Sequence, residues 1–342
     1  MTIFKQLNIW TNHRLVVVGL LASLLMMPAA HAVTLKLATL SPEGSGWMKV
    51  LRKHAKNIED RTNGEVKFKL YPGGVMGDDK AVLRKIRVGQ LHGAVMTAGG
   101  LVQVFPDVVL YNLPLMFRSD AEVDYVRQHL DQEMMRRMEE KKFVGFGFAE
   151  VGFAYPMMQD PATSVGQLRG RKVWAPDNDP GALKAYQAFR ISPIPLPIAD
   201  VLAGLQTGLI DSIGSPPIGA IALQWHTQIQ YALEVPLIYT YGVLAISERA
   251  FKKLDSAQQA IVREELGAAV ETVNASSRAD HISAKEAITR QGIEWLTPSE
   301  TELAEWQKLA DQASQDTVDD GYISADLYEQ VQTLLNTFRS GG

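Results

Sequence analysis

Along this chain the spacing of apolar positions switches between two and three-to-four, and the switches mark out the elements. Residues 34–39, Thr-Leu-Lys-Leu-Ala-Thr, predict a strand. After the turn-rich loop 41–46, the residues Trp47, Val50, Leu51, Ala55 and Ile58 recur on one side of a helix that runs to Arg61. Asn63-Gly64 stops it, and 66–70 alternates as a second strand. A helix over 78–88 ends at Gly89, and 94–97 is a short buried strand. This β-α-β-α-β order predicts a parallel sheet with helices on both faces. The theme returns later. Residues 143–148 and 172–174 predict strands, 179–189 a helix with Pro180 in its first turn, and 191–197 an extended stretch carrying three prolines. A helix over 198–208 and a strand over 209–213 follow. Two α/β units separated by a change of texture predict two lobes. From Ser247 onward the pattern is mainly helical. Residues 255–290 have so few breakers that they read as one very long helix, and a helix of that length is explained if it bridges the lobes.

The N-terminus changes the picture of where the chain works. Lys5 and Arg14 precede an apolar run over 15–30, and Ala30-His31-Ala32 offers small residues where a signal peptidase reads. The expectation is a signal peptide over residues 1–32, cleaved after Ala32, and a soluble mature protein beginning at Val33 on the outer side of the cytoplasmic membrane. The run is short for a membrane span, and Pro28 sits near its end. The formal charge of −4 becomes −6 once Lys5 and Arg14 are removed, which argues against a nucleic-acid partner. The chain has no cysteine, which removes disulfides, thiolate metal sites, cysteine nucleophiles and a lipoprotein anchor.

Catalytic and metal chemistry is not legible. His54, His92, His129, His226 and His281 are not spaced as metal ligands, and no HExxH or GxSxG occurs. Gly145-Phe-Gly147 fails as a dinucleotide loop because its third glycine would fall on Glu150. Gly44-Ser-Gly46 opens a helix and could cradle an anion, but lacks the lysine of a phosphate loop. Asp78-Asp79 and Asp319-Asp320 read as helix-start or solvated charges. No cofactor and no metal are expected.

Taken together, the loops resemble the solute receptors of TRAP transporters. The resemblance rests on residues 64–72, 76–79 and 86–91, and on 112–118 with its Leu-Pro pair. It continues through 168–173, the Pro195-Leu-Pro197 stretch, 205–208 and 209–211. It implies an α/β, two-lobed periplasmic binding protein fold. Each lobe would be a mixed sheet flanked by helices, and crossover strands and a long bridging helix would join the lobes. The expected division is 33–151 with about 243–279 in the first lobe, and 152–242 with about 280–342 in the second. The implied function is a periplasmic, monomeric receptor, not an enzyme, that closes on a small organic ligand and delivers it to the membrane permease subunits.

The departures from that family bear on the ligand. Where the resemblance implies an arginine that holds a substrate carboxylate stands Trp174; where it implies a second arginine stands Phe153; where it implies an asparagine stands Ser215. A guanidinium grips a carboxylate in two places; aromatic rings offer area and stacking instead. The expectation is a pocket with Trp174, Phe153 and Ile198 as apolar walls and Tyr155, Thr97, Ser45, Asp177, Asn178 and Ser215 as polar groups, with Trp225 and Tyr239 contributing from the second crossover. The ligand would be less anionic or more hydrophobic than the family norm. The alternatives are a carboxylate receptor with a cation placed elsewhere, such as Arg118 or Arg171, a sensor that presents its ligand to a receptor kinase, or an enzyme on the same scaffold.

Overall fold

The computed structural model describes residues 32–177 and 180–341. The predicted signal peptide, save Ala32, and Asn178 lie outside the described residues. Ten strands occur among the described residues: β1 (Val33–Thr39), β2 (Val66–Tyr71), β3 (Gly93–Thr97), β4 (Phe143–Met158), β5 (Trp174–Pro176), β6 (Ile194–Leu196), β7 (Ser212–Ser215), β8 (Tyr231–Leu233), β9 (Ile238–Ser247) and β10 (Glu294–Leu296). In the first lobe the order is β2-β1-β3-β9-β4. The first three strands run parallel, as the β-α-β-α-β pattern predicts, and β9 is antiparallel to β3 and to β4. In the second lobe β4 continues between β8 and β7, with β10 beside β8, while β5 and β6 form a separate parallel pair. Strand β4 is therefore ten residues longer than the 143–148 stretch that reads as a strand, and it serves both sheets.

Both faces of the first sheet are covered. On one, the helix Gly46–Arg61 and the first half of Ser256–Arg290 enclose Leu35, Leu37, Ile58, Val262, Leu266 and Val270. On the other, the helices Asp79–Arg87 and Asp120–Glu140 pack over Phe105, Leu130, Met134 and Phe148. The second sheet is flanked by a cluster around Phe189, Leu233 and Trp306 and by another around Trp174, Trp225 and Ile288.

The long helix has 35 residues, capped at Asp255 by a reciprocal pair with Gln258. At 1.5 Å per residue it spans about 52 Å. Val262 to Val273 pack in the first lobe and Ile288 in the second, so the helix bridges the two as its length predicts.

The tail departs from the sequence reading, which assigns about 280–342 to the second lobe. The helix Glu300–Asp319 does belong there through Trp306 and Ala310. Gly321, with φ +68, then reverses the chain, and Asp107 accepts from both the backbone N–H and the hydroxyl of Ser324. The last helix, Ala325–Arg339, thereby returns to the first lobe. Its stripe of Leu327, Val331 and Leu335 packs against the stripe of Val123, Val126 and Leu130 on Asp120–Glu140. Apolar spacing announces such a stripe but not the surface that covers it.

The long helix is fixed to Gly46–Arg61 by one buried carboxylate. Glu265 accepts from His54 at 2.8 Å, Asn57 at 3.0 Å and Arg61 at 2.8 Å. Burial alone would raise its pKa, but the hydrogen bonds from Arg61, Asn57 and His54 outweigh it and bring it down to about 2. A depressed folded pKa gives stability that is present above the ordinary value of 4.5 and lost as pH falls toward 2. Glu265→Gln should remove about 2–3 kcal/mol of acid-sensitive stability, read as a flatter melting temperature against pH below 4.5. Identical acid profiles for the two proteins would contradict this assignment.

Candidate functional site

A cavity of about 330 Å³ lies where the lobes meet, within the size range of small-molecule sites. The first lobe contributes Thr97, Ala98, Gly99, Asn112 and Leu113; the crossovers contribute Val151, Ile238, Thr240 and Tyr241. The second lobe contributes Trp174, Ile198, Ser215 and Trp225, together with Tyr186, Phe189 and Trp306. Among the described lining residues none carries a charge.

The hydroxyl donors of its lining are already engaged, and Asn112 commits one of its two amide N–H groups. Thr97 donates to Asp79 at 2.7 Å and accepts from Gly100 N–H at 3.1 Å. Ser215 donates to the Pro216 carbonyl at 3.0 Å, Thr240 to that of Gly152 at 2.6 Å, and Tyr241 to that of Val108. Ser212 donates to Asp211 at 2.8 Å. Asn112 gives one amide N–H to the Tyr239 carbonyl at 2.5 Å. What these hydroxyls retain is lone pairs.

Trp174, on β5, is a wall of the cavity, as the sequence suggests, and is also core: it is 5% exposed. Its indole N–H goes to the Leu196 carbonyl at 2.9 Å, and its ring meets Trp225 edge-on at 5.3 Å. Thr97, Ile198, Ser215 and Trp225 also line the cavity.

Five expected residues do not. Phe153 and Tyr239 are cross-strand partners whose rings meet edge-on at 5.7 Å in the first-lobe core. Tyr155 stacks on His281 at 6.1 Å and meets Trp295 at 5.2 Å. The cause is a bulge: the register of β4 on β9 slips between Glu150 and Gly152, and Gly152 takes φ +105. Such a slip re-aims the side chains beyond it. Val151 faces the cavity, and Phe153 and Tyr155 face elsewhere. Ser45 caps the helix Gly46–Arg61 by accepting from Met48 N–H at 3.3 Å, and does not reach the cavity. Asp177 is exposed and absent from the lining.

Arg171, a candidate alternative cation, is held by Asp160 at 2.8 Å and by the Pro161 carbonyl at 3.0 Å; neither it nor Arg118 lines the cavity. Asn112, Val151, Thr240, Tyr186, Phe189 and Trp306 were not anticipated as lining. Asn112 stands in a segment singled out for its Leu-Pro pair; Trp306 lies in the tail, where the only signal was helical spacing.

A two-lobed fold with a ligand-sized cavity at the lobe boundary defines a solute-binding protein. The model of the family described as bacterial extracellular solute-binding protein, family 7, matches residues 37–320, and the chain belongs to that family. It is 23% identical over 239 residues to the sialic acid-binding periplasmic protein SiaP of Vibrio cholerae, covering 68% of this chain and 73% of that protein. It is 27% identical over 164 residues to the 2,3-diketo-L-gulonate-binding periplasmic protein YiaO of Escherichia coli, covering 46% and 49%. A TRAP periplasmic solute-binding protein from Xanthobacter autotrophicus, solved with β-D-galacturonate, superposes with a TM-score of 0.81 at 20% identity, covering 88% of this chain and 99% of that one.

Two outcomes check the site. Trp174→Ala should lower stability by about 3–5 kcal/mol as a buried aromatic truncation, and weaken binding by about 1–3 kcal/mol through lost apolar contact. A lower melting temperature with unchanged affinity would make Trp174 core alone. Asp79, beneath Thr97, tests the electrostatics. Burial raises its pKa, the Thr97 hydrogen bonds oppose this, and the result is about 6, above the ordinary 3.8. Between those values the folded chain keeps a proton that the unfolded chain has lost, so this group's contribution to stability falls as pH rises. Wild type should lose about 3 kcal/mol relative to Asp79→Asn across that window; parallel pH profiles would contradict it.

Proposed function

We propose that the chain is the periplasmic receptor of a TRAP-type secondary transporter. It captures a small organic ligand that is less anionic, or more hydrophobic, than a sugar acid, and hands it to the membrane permease without chemical change. The observation that carries this reading is the cavity at the lobe boundary, whose described lining holds no charged side chain. A carboxylate placed there would be stripped of water without a guanidinium partner, which costs several kcal/mol. Related solved structures carry galacturonate, glucuronate and gulonate, so these anions make the sharpest comparison. The position that the resemblance assigns to an arginine is Trp174, and its ring is a wall of this cavity.

Capture is by closure. The lobes are joined by β4, β9 and the long helix, a connection suited to hinge motion, and a ligand stabilises the closed form by touching both lobes. Native mass spectrometry of protein released from the periplasm should find an uncharged or largely apolar molecule in the cavity. Small-angle scattering should show the radius of gyration fall when that molecule is added. Tight calorimetric binding of galacturonate or gulonate to the wild type would overturn the ligand assignment, and an unchanged scattering profile at saturation would overturn closure.

A further inference from the structure

We infer that the cavity has a head end and a tail arm, and that its ligand is an amphiphile: a compact hydrogen-bond-donating head, such as an amide or alcohol, on an aliphatic or aromatic tail. The inference rests on the low-charge receptor reading above and goes further by saying where each part of the ligand sits.

The cavity does not stop at the face between the lobes. It continues into the second lobe between the helix Pro180–Ala188 and the helix Glu300–Asp319, which pack on one another. Ala182, Ala185 and Phe189 line it from the first of these and its exit, and Trp306, Ala313 and Thr317 from the second. Small residues at Ala182, Ala185 and Ala313 leave open the space that larger side chains would fill. The indole N–H groups and hydroxyls of this arm donate to backbone carbonyls. Trp306 N–H donates to the Thr163 carbonyl at 3.0 Å and Trp174 N–H to that of Leu196 at 2.9 Å. The Tyr186 hydroxyl donates to the Trp174 carbonyl at 3.1 Å and that of Thr317 to the Ala313 carbonyl at 2.7 Å. Ring faces and methyl groups remain for the ligand, which suits an apolar tail.

The other end suits a donor. Thr97, Ser215 and Thr240 direct their hydroxyl protons into the protein and keep lone pairs. A carboxylate has only lone pairs to bring, whereas an amide N–H or an alcohol O–H matches them.

The test is a calorimetric titration of the full mature chain with straight-chain primary amides, from butanamide to dodecanamide. Affinity should rise about fourfold per methylene until the arm is full, and then level off. Ala313→Phe, and independently Ala185→Phe, should bring the levelling-off to a shorter amide; melting temperatures identify any variant that fails to fold, and the other variant then stands. Equal affinity along the whole series, or the same levelling-off point in folded variants, would overturn the tail arm and leave the low-charge receptor reading standing. No amide binding alongside tight hexuronate binding would overturn both.

Discussion

Strand β4 has to belong to two sheets at once, and the rest of the molecule follows from how it does so. From Phe143 to Ala154 it pairs with β9 in the first lobe; from Tyr155 to Met158 it pairs with β7 and β8 in the second. The join is a bulge centred on Glu150 to Gly152, and Glu150, 3% exposed, holds it. Its backbone N–H donates to Asn274 at 2.7 Å and its carbonyl accepts from Ser277 at 2.9 Å, both on the long helix. Its carboxylate accepts from Tyr239 at 3.1 Å, and Arg278 lies at 3.4 Å. Arg127 donates to the same Tyr239 hydroxyl at 2.9 Å. A buried carboxylate is tolerable only when its partners are complete, so this network locks strand, strand and helix together where the lobes meet.

The same bulge decides which side chains line the cavity. It presents Val151 to the cavity and sends Phe153, Tyr155 and Tyr239 into packing against Tyr239, His281 and Phe117. The charges of the hinge are thus consumed behind the strands, on the side away from the cavity lining. Hydroxyls in the lining give their protons to carbonyls, to Asp79 and to Asp211, and no described lining residue is ionic. The cavity is thus an apolar chamber with scattered acceptors.

Much of the architecture was legible in the sequence because it is written in local periodicity. The helix that begins after Asp255 and ends at Arg290 follows from a pattern with few breakers, and the parallel order of β1, β2 and β3 from alternating strand and helix. Of the expected pocket residues, Trp174, Ile198, Ser215, Trp225 and Thr97 line the cavity, and the first three stand in or directly beside segments that carry the resemblance. The site was not legible where orientation depends on a non-local event. Alternation places Phe153 and Tyr155 on the face of Val151, and only the register slip at Gly152 separates them. Ser45 reads as an anion ligand from the same features that make it a helix cap. Trp306 and the return of Ala325–Arg339 to the first lobe depend on which surface an amphipathic stripe finds, and spacing does not encode that.

The central claim is that the ligand is selected by an uncharged, acceptor-bearing cavity and not by a cation. The direct measurement is the ratio of dissociation constants for an alkanoate and the primary amide of the same chain length, taken by calorimetry near neutral pH. The amide should bind at least tenfold more tightly, about 1.4 kcal/mol. A carboxylate that binds more tightly than its amide would place a cation in the cavity and contradict the account.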